Sequence, residues 1–298
     1  MGAAPRSIAF LGTGLMGAPM ARRLLDAGFA VTVWNRDATK AQALAKDGAV
    51  VAETPSLAAR GAAVVFTMLS DGKAVEDVLF LQGVAEALPQ NATVIDCSSI
   101  APAQARDHAT RLAARGIRHL DAPVSGGVVG AAAGTLAIMA GGDGTLIAEL
   151  ADVFAPLGRV THVGPSGTGQ LAKLGNQQIV AVTIGAIAEA MMLVQAGGGS
   201  PEAFRRAIRG GFAESRILDI HGQRMVSREF GHAGPSKLQL KDLNNILAVA
   251  EDLSLVLPLT EAVRAEFAAF VEDGGADVDH SGLLLQLEKQ NAGGRGPA

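Results

Sequence analysis

The stretch IAFLGTGLMGAPM, residues 8–20, passes from four apolar, strand-like residues (Ile8 to Leu11) through Gly12, Gly14 and Gly17 into a helix-forming segment. In a dinucleotide-binding fingerprint the first glycine permits a tight turn, the second lets the backbone approach a pyrophosphate, and the third lets helix and strand pack closely. The phosphates then lie on the helix N-terminus, where free N–H groups and the macrodipole favour negative charge. A chain with 37 glycines can produce GxGxxG by chance, as a tight turn of no chemical meaning. Context favours the nucleotide: the motif follows a strand and opens an amphipathic helix (Met16, Met20, Leu24, Leu25) that stops at Gly28. Gly12, Thr13, Gly14, Leu15, Met16 and Gly17 are therefore the candidate phosphate loop.

Outward from this motif, strand-like and helix-like runs alternate. VTVWN (31–35), AVVFTML (63–69) and ATVIDCSS (92–99) read as strands, with helical stretches from Lys40 to Lys46, near Ala74 to Leu81 and from Pro102 to Arg115. IRHLDAP, TLAIMAGG and RVTHVG complete the β-rich part near Gly164. Short strands joined by crossover helices predict an α/β, mostly parallel, doubly wound Rossmann-type domain over 1–165, with its ligand at the carboxyl ends of the strands. From Gly167 the pattern changes. GQLAKLGNQQIVAVTIGAIAEAMMLVQAG lacks a strong breaker and is apolar around much of its circumference, which predicts a long buried interdomain helix. Helical runs near 201–209, 215–227, 236–252, 258–272 and 280–289 follow, so 166–298 is expected to be an all-α substrate and oligomerisation domain. A helix apolar all round needs covering by other helices, some from another subunit, so a homodimer or homotetramer is expected.

The composition narrows the function classes. A hydrophobic fraction of 49% supports a sizeable core, and the single Cys97 excludes an intrachain disulfide framework. A net charge of −4 and no basic tract argue against nucleic acid, and the start MGAAPRS lacks a secretory apolar region. A cytoplasmic protein without a membrane partner is expected. The six histidines are scattered without zinc-ligand spacing, so no metal is expected.

An NAD site usually places Asp or Glu at the end of the second strand to bind the ribose hydroxyls. Here stand Asn35 and Arg36, with Thr39 and Lys40 at the next helix start. An acid would repel a 2′-phosphate, whereas an amide can hydrogen-bond it and a guanidinium can pair with it. NADP(H) is therefore expected over NAD(H); the alternative is that Arg36 is an ordinary exposed charge beside Asp37.

Ser125, Gly126 and Gly127 offer a hydroxyl and bare backbone N–H groups for a small carboxylate, or simply a glycine turn into VVGAAAG. Lys173, Asn176 and Gln177 share one face of the long helix, a polar face that needs a ligand or partner. From spacing alone Lys173 is equally a buried ion-pair member or a catalytic group. Lys237, Lys241 and Asp242 form another charged helical face, which by itself reads as solvated surface.

Taken in order, GTGLMGAPMA, CSSIAP, DAPVSGG with GTL and GG, GTGQLAKLGNQ, LKDLNN and DHSG (279–282) resemble the β-hydroxyacid dehydrogenase family over nearly the whole chain. The second half, with KLGNQQIVA and AIRGGFAESRILD, is most similar to the branch that reduces tartronate semialdehyde. The resemblance implies an NADPH-dependent reductase of a small carboxylate-bearing aldehyde, or a dehydrogenase of the matching alcohol. Succinic semialdehyde, glyoxylate and 3-hydroxyisobutyrate are the alternative substrates, and a non-catalytic NADP(H)-binding scaffold the alternative class. It implies Lys173 as the catalytic acid/base, Ser125, Gly126 and Gly127 as the carboxylate loop, and Asn176 with Gln177 as the substrate-orienting pair. It further implies that Leu69, Ser70 and Ser99 contact the cofactor and that Lys241 closes over cofactor and substrate. Ser70 stands where many members have proline, and Gln177 where many have a second asparagine. His280 reads as a structural or interface residue.

Overall fold

Successive residues of the first strand, β1 (Ser7–Leu11), point to opposite faces and are buried on both. Ile8 and Phe10 join an apolar cluster with Met20, Leu24 and Phe66, while Ala9 and Leu11 join a second with Val65, Leu79 and Leu112. A strand apolar on both faces belongs inside a sheet covered by helices on both sides. The computed structural model describes residues 6–231 and 234–292. The chain divides into two compact units, Met1–Lys173 and Leu174–Ala298.

The first unit is built on one sheet. Its strands are β1, β2 (Ala30–Trp34), β3 (Val50–Val51), β4 (Val64–Thr67), β5 (Thr93–Asp96), β6 (Arg118–Asp121), β7 (Val124–Ser125), β8 (Leu136–Gly141) and β9 (Gly158–Gly164). The order is β3-β2-β1-β4-β5-β6-β8-β7, with β9 paired to β8. From β3 to β6 all pairings are parallel, as the alternating sequence predicts; β8 runs antiparallel to β6 and β7. After β1 the chain moves to β2 and β3 on one side and then crosses to β4 on the other. That reversal puts a topological switch point at the carboxyl end of β1, where the phosphate loop begins.

The second unit is helical, with helices at Pro201–Ala207, Ser236–Asp252, Pro258–Phe270 and Leu283–Asn291 and helical turns across 218–227. Their core gathers Leu218, Leu243, Ile246, Phe267 and Leu284 around Leu174, Ala181, Ile184, Ala188 and Met191 of the long helix, Thr168–Ala196. The sevenfold, then three- and fourfold spacing of those five residues marks one stripe of that helix. Ile179 is 65% and Leu193 76% exposed, so an apolar stripe away from the core is uncovered within this chain. Among the described residues this is the one helix long and apolar enough to cross a membrane by length and composition.

Candidate active site

The phosphate loop leaves β1 at Gly12. The Gly12 N–H donates to the Trp34 carbonyl at 2.8 Å, and its φ of 103° lies in the region that favours glycine. A Cβ at Gly12 would meet the Met68 carbonyl oxygen at 2.3 Å, and one at Gly17 the Gly12 carbonyl oxygen at 1.9 Å. Those two glycines are thus required by the protein's own packing. Gly14 is different: a Cβ there meets no protein atom within 4 Å, so the protein's own packing does not require a glycine at this position. The following helix, Gly17–Asp26, has no side-chain cap and no acid in its first turn. Within the first turn Ala18 and Met20 already donate to the Gly14 and Met16 carbonyls and Pro19 has no N–H, so it is the loop–helix junction just before them, beside a glycine with open space, that fits a pyrophosphate.

Around this loop the amide of Asn35 serves the fold. Its Oδ1 accepts the Thr13 N–H at 3.0 Å, and its Nδ2 donates to the Asp37 carbonyl at 3.0 Å, fastening the end of β2 to the loop. Thr39 is also engaged, its hydroxyl and backbone N–H both donating to Asp37 Oδ1. These hydrogen bonds, aided by Lys40, hold the Asp37 carboxyl below its ordinary range. Arg36 is exposed and makes no ion pair among the described residues.

At the neighbouring strand ends, the Leu69 N–H donates to Ser98 Oγ at 2.9 Å, while Ser70, exposed, donates its hydroxyl to Asp71. Buried Asp96 accepts from the Thr67 hydroxyl at 2.7 Å and the Ser98 N–H at 2.9 Å. Burial pushes its carboxyl up to about 6 against these hydrogen bonds. Ser99, half-buried, lies between Ser98 and Ile100. Both of those residues are held by Gln170, whose Nε2 donates to the Ser98 carbonyl at 2.8 Å and whose Oε1 accepts the Ile100 N–H at 3.1 Å.

Within the same unit Lys173 Nζ donates to the Val124 carbonyl at 3.0 Å. Val124 precedes Ser125, Gly126 and Gly127, where β7 gives way to the helix Gly127–Ala133. The fold therefore brings the lysine to the carboxylate-loop candidate, 49 positions away in sequence.

In the second unit Asn176 Nδ2 donates to Gln177 Oε1 at 2.9 Å, and Gln177 Nε2 donates to Asp242 Oδ2 at 2.8 Å. Asp242 is 8% exposed, which corrects the reading of Lys237, Lys241 and Asp242 as a uniformly solvated face. Lys241 lies 3.4 Å from Asp242 and Lys237 pairs outward with Asp277. His280 packs edge-on against His221, with ring centroids 4.5 Å apart, and contacts Gln239 at 3.3 Å. His221, Asp279 and His280 place potential ligand atoms within 4.8 Å of one another, a grouping that sequence spacing conceals. Asp279 already accepts from Arg224 at 2.9 Å, Gly234 at 3.0 Å and Ser281. Burial would raise its carboxyl, but His221, Ser281 and the charge of His280 outweigh that and hold it well below the usual range.

Asp96, Asp121 and Gln170 are among the buried polar residues for which sequence spacing suggests no role. Gln170 stands inside the quoted GTGQLAKLGNQ, but nothing local shows that its side chain reaches back to the Ser98–Ile100 segment.

Comparison with known proteins agrees over both units. Residues 7–164 match the NAD binding domain of 6-phosphogluconate dehydrogenase, and residues 167–287 match the NAD-binding domain of NADP-dependent 3-hydroxyisobutyrate dehydrogenase. The chain is 40% identical to the 2-hydroxy-3-oxopropionate reductase of Escherichia coli (strain K12), covering 94% of this chain and 97% of that protein. It is 34% identical to the NAD-dependent L-serine dehydrogenase of Pseudomonas aeruginosa, covering 93% and 96%. Among solved structures, the 3-hydroxyisobutyrate dehydrogenase of Mycobacterium tuberculosis with L-serine superposes with a TM-score of 0.88 at 32% identity, covering 95% and 99%. An oxidoreductase dependent on a nicotinamide dinucleotide is the class that these matches define. The chain belongs to the 3-hydroxyisobutyrate dehydrogenase family of hydroxy-acid dehydrogenases and reductases.

Proposed function

We propose that this chain reduces a small aldehyde acid with NADPH, converting tartronate semialdehyde (2-hydroxy-3-oxopropionate) to glycerate with Lys173 as proton donor. One observation carries the reading: the Lys173 ammonium sits 3.0 Å from the carbonyl that precedes Ser125, Gly126 and Gly127. A carboxylate taken by the Ser125 hydroxyl and the two glycine N–H groups would present its substrate to that ammonium. Bound NADPH supplies the hydride. As charge gathers on the carbonyl oxygen, the Lys173 ammonium stabilises it more in the transition state than in the ground state and gives it a proton. In the reverse direction the neutral amine takes the proton from the alcohol. Asn176 and Gln177 orient the substrate, and Lys241 closes over it.

The residues of Gly12 to Gly17, with Leu69, Ser70 and Ser99, would hold the dinucleotide. Arg36 supports the choice of NADPH, since it is exposed and makes no ion pair among the described residues while Asp37 is occupied by Thr39 and Lys40. The amide of Asn35 keeps one Nδ2 hydrogen beyond its bonds to Thr13 and Asp37, so it would assist while Arg36 carries the charged contact to the 2′-phosphate. The 40% identical relative named for 2-hydroxy-3-oxopropionate supports the substrate. A second reading, oxidation of a three-carbon hydroxy acid at the same groups, is favoured by the relative named for L-serine.

Residues 1–165 would serve the cofactor and lend the carboxylate loop Ser125 to Gly127, and residues 166–298 would serve the rest of the substrate and self-association. The uncovered stripe at Ile179 and Leu193 supports a homodimer or homotetramer. A cytoplasmic location goes with this reading.

The test is initial rates with tartronate semialdehyde, glyoxylate, succinic semialdehyde, methylmalonate semialdehyde, L-serine and 3-hydroxyisobutyrate, each with the NADP and NAD couples, on the parent and on Lys173→Ala. Turnover should be fastest with tartronate semialdehyde and NADPH. Lys173→Ala should lose about 10²–10⁴-fold in kcat while binding NADPH nearly as tightly. A variant as active as the parent overturns the mechanism.

A further inference from the structure

The long helix begins at a junction of three strand ends, and one buried side chain spans it. Gln170 is 1% exposed. Its backbone N–H donates to Asp121 at the end of β6, and its side-chain amide reaches the segment after β5, donating to the Ser98 carbonyl and accepting from Ile100. Ser98 is in turn tied to the end of β4, its hydroxyl accepting the Leu69 N–H. The amide thus grips the backbone on both sides of Ser99. Three residues further along the same helix stands Lys173, whose ammonium is held at Val124.

We propose that Gln170 is a positioning residue that couples the Ser98–Ile100 segment to the helix carrying Lys173, so that cofactor contact at Ser99 and placement of the Lys173 ammonium are set together. The proposal rests on the roles given above to Ser99 and Lys173. Two features make the amide suited to this task. It offers one donor and one acceptor to a backbone that presents one carbonyl and one N–H, so only one orientation satisfies both. Its burial makes either unmet group costly, which holds the segment and the helix in a single arrangement.

Gln170→Met keeps the length and removes both hydrogen bonds. Gln170→Glu keeps both when protonated, its O–H donating to the Ser98 carbonyl and its carbonyl oxygen accepting from Ile100. When ionised it sets a carboxylate oxygen against that carbonyl and breaks the grip. Burial raises the pH at which such a carboxyl ionises. Gln170→Met should lose about 10- to 100-fold in kcat/KM at every pH. Gln170→Glu should stay within about threefold of the parent at pH 6. Its ratio to the parent should then fall through one titration, by about tenfold or more at pH 9, while the Gln170→Met ratio stays flat. A flat ratio for Gln170→Glu, or Gln170→Met within threefold of the parent, overturns the coupling.

Amide hydrogen exchange on the unsubstituted protein supplies a readout that does not depend on how the variants fold. Adding NADP⁺ should raise protection of the Ile100 and Gln170 N–H groups together; protection of Ile100 alone overturns the proposal. If Lys173→Ala keeps full turnover while the exchange coupling is seen, the coupling stands and the catalytic reading fails. If Lys173→Ala is dead and the coupling is absent, the reverse holds.

Discussion

The carboxylate of Asp121 accepts the backbone N–H of Gln170 at 3.0 Å, and its other oxygen accepts that of Gly167 at 2.7 Å. A side chain at the end of β6 thus caps the long helix through Gly167, the residue just before it and 46 positions later in sequence. Burial raises the Asp121 carboxyl, and the donors from Gly167 and Gln170 oppose that. An amide offers only one oxygen to these two donors. Asp121→Asn should therefore destabilise the protein by about 1–3 kcal/mol through an unmet N–H. Denaturant melts of the two proteins check this; coincident curves would exclude the capping role.

The glycines of the phosphate loop separate packing from binding. Gly17→Ala forces a Cβ into the Gly12 carbonyl and should lower the melting temperature markedly. Gly14→Ala meets no protein atom, so it should melt within about 2 °C of the parent, a shift well under 1 kcal/mol. Its dinucleotide affinity should nevertheless fall about tenfold or more, read by titration of cofactor fluorescence. Unchanged affinity would remove the pyrophosphate from Gly14.

Arg36→Ala should lower kcat/KM for NADPH by about 10- to 100-fold, the loss of a charge-assisted contact, and leave NADH within about threefold. Equal losses with both cofactors would show that Arg36 does not read the 2′-phosphate.

Acid should weaken the fold through His119. Neither ring nitrogen has a hydrogen-bond partner among the described residues, and burial pushes the imidazole down to about 3. The unfolded chain takes up that proton near the ordinary value of about 6.5. Stability is then full above about 6.5 and declines as pH falls toward 3, because the unfolded state binds the extra proton in that window. His280, lowered to about 4 by burial and then by His221, acts in the same direction. Asp96, pushed up to about 6, acts oppositely: the fold retains its proton above the unfolded value of about 3.9, and that contribution disappears as pH rises through 6. Replacing His119 by leucine should shrink the difference in melting temperature between pH 7.5 and pH 5. An unchanged difference would place the acid sensitivity elsewhere.

The parallel strands were legible because Ile8 to Leu11 and Val64 to Thr67 are apolar runs bounded by breakers, and burial on both faces demands such runs. β3 and β7 were not, since two residues carry no period. The carboxylate loop and Lys173 were legible only as separate motifs, because the Lys173 to Val124 hydrogen bond joins residues distant in sequence. Asn35 shows another limit: its place at the end of β2 is readable from the sequence, but its hydrogen bonds to the Thr13 N–H and the Asp37 carbonyl are not. The long helix was recognisable from composition, but an apolar circumference does not say which stripe its own chain covers.

The central place of β1 also bears on how the chain is made. Its neighbours are β2 and β4, so one edge of Ser7–Leu11 stays unpaired until Val64–Thr67 has been synthesised. At about 5–20 residues per second that is a wait of roughly 3–10 s, with an apolar strand edge exposed beside the ribosome. Ribosomes that stall before β4 would release an unfinished sheet able to pair with its like.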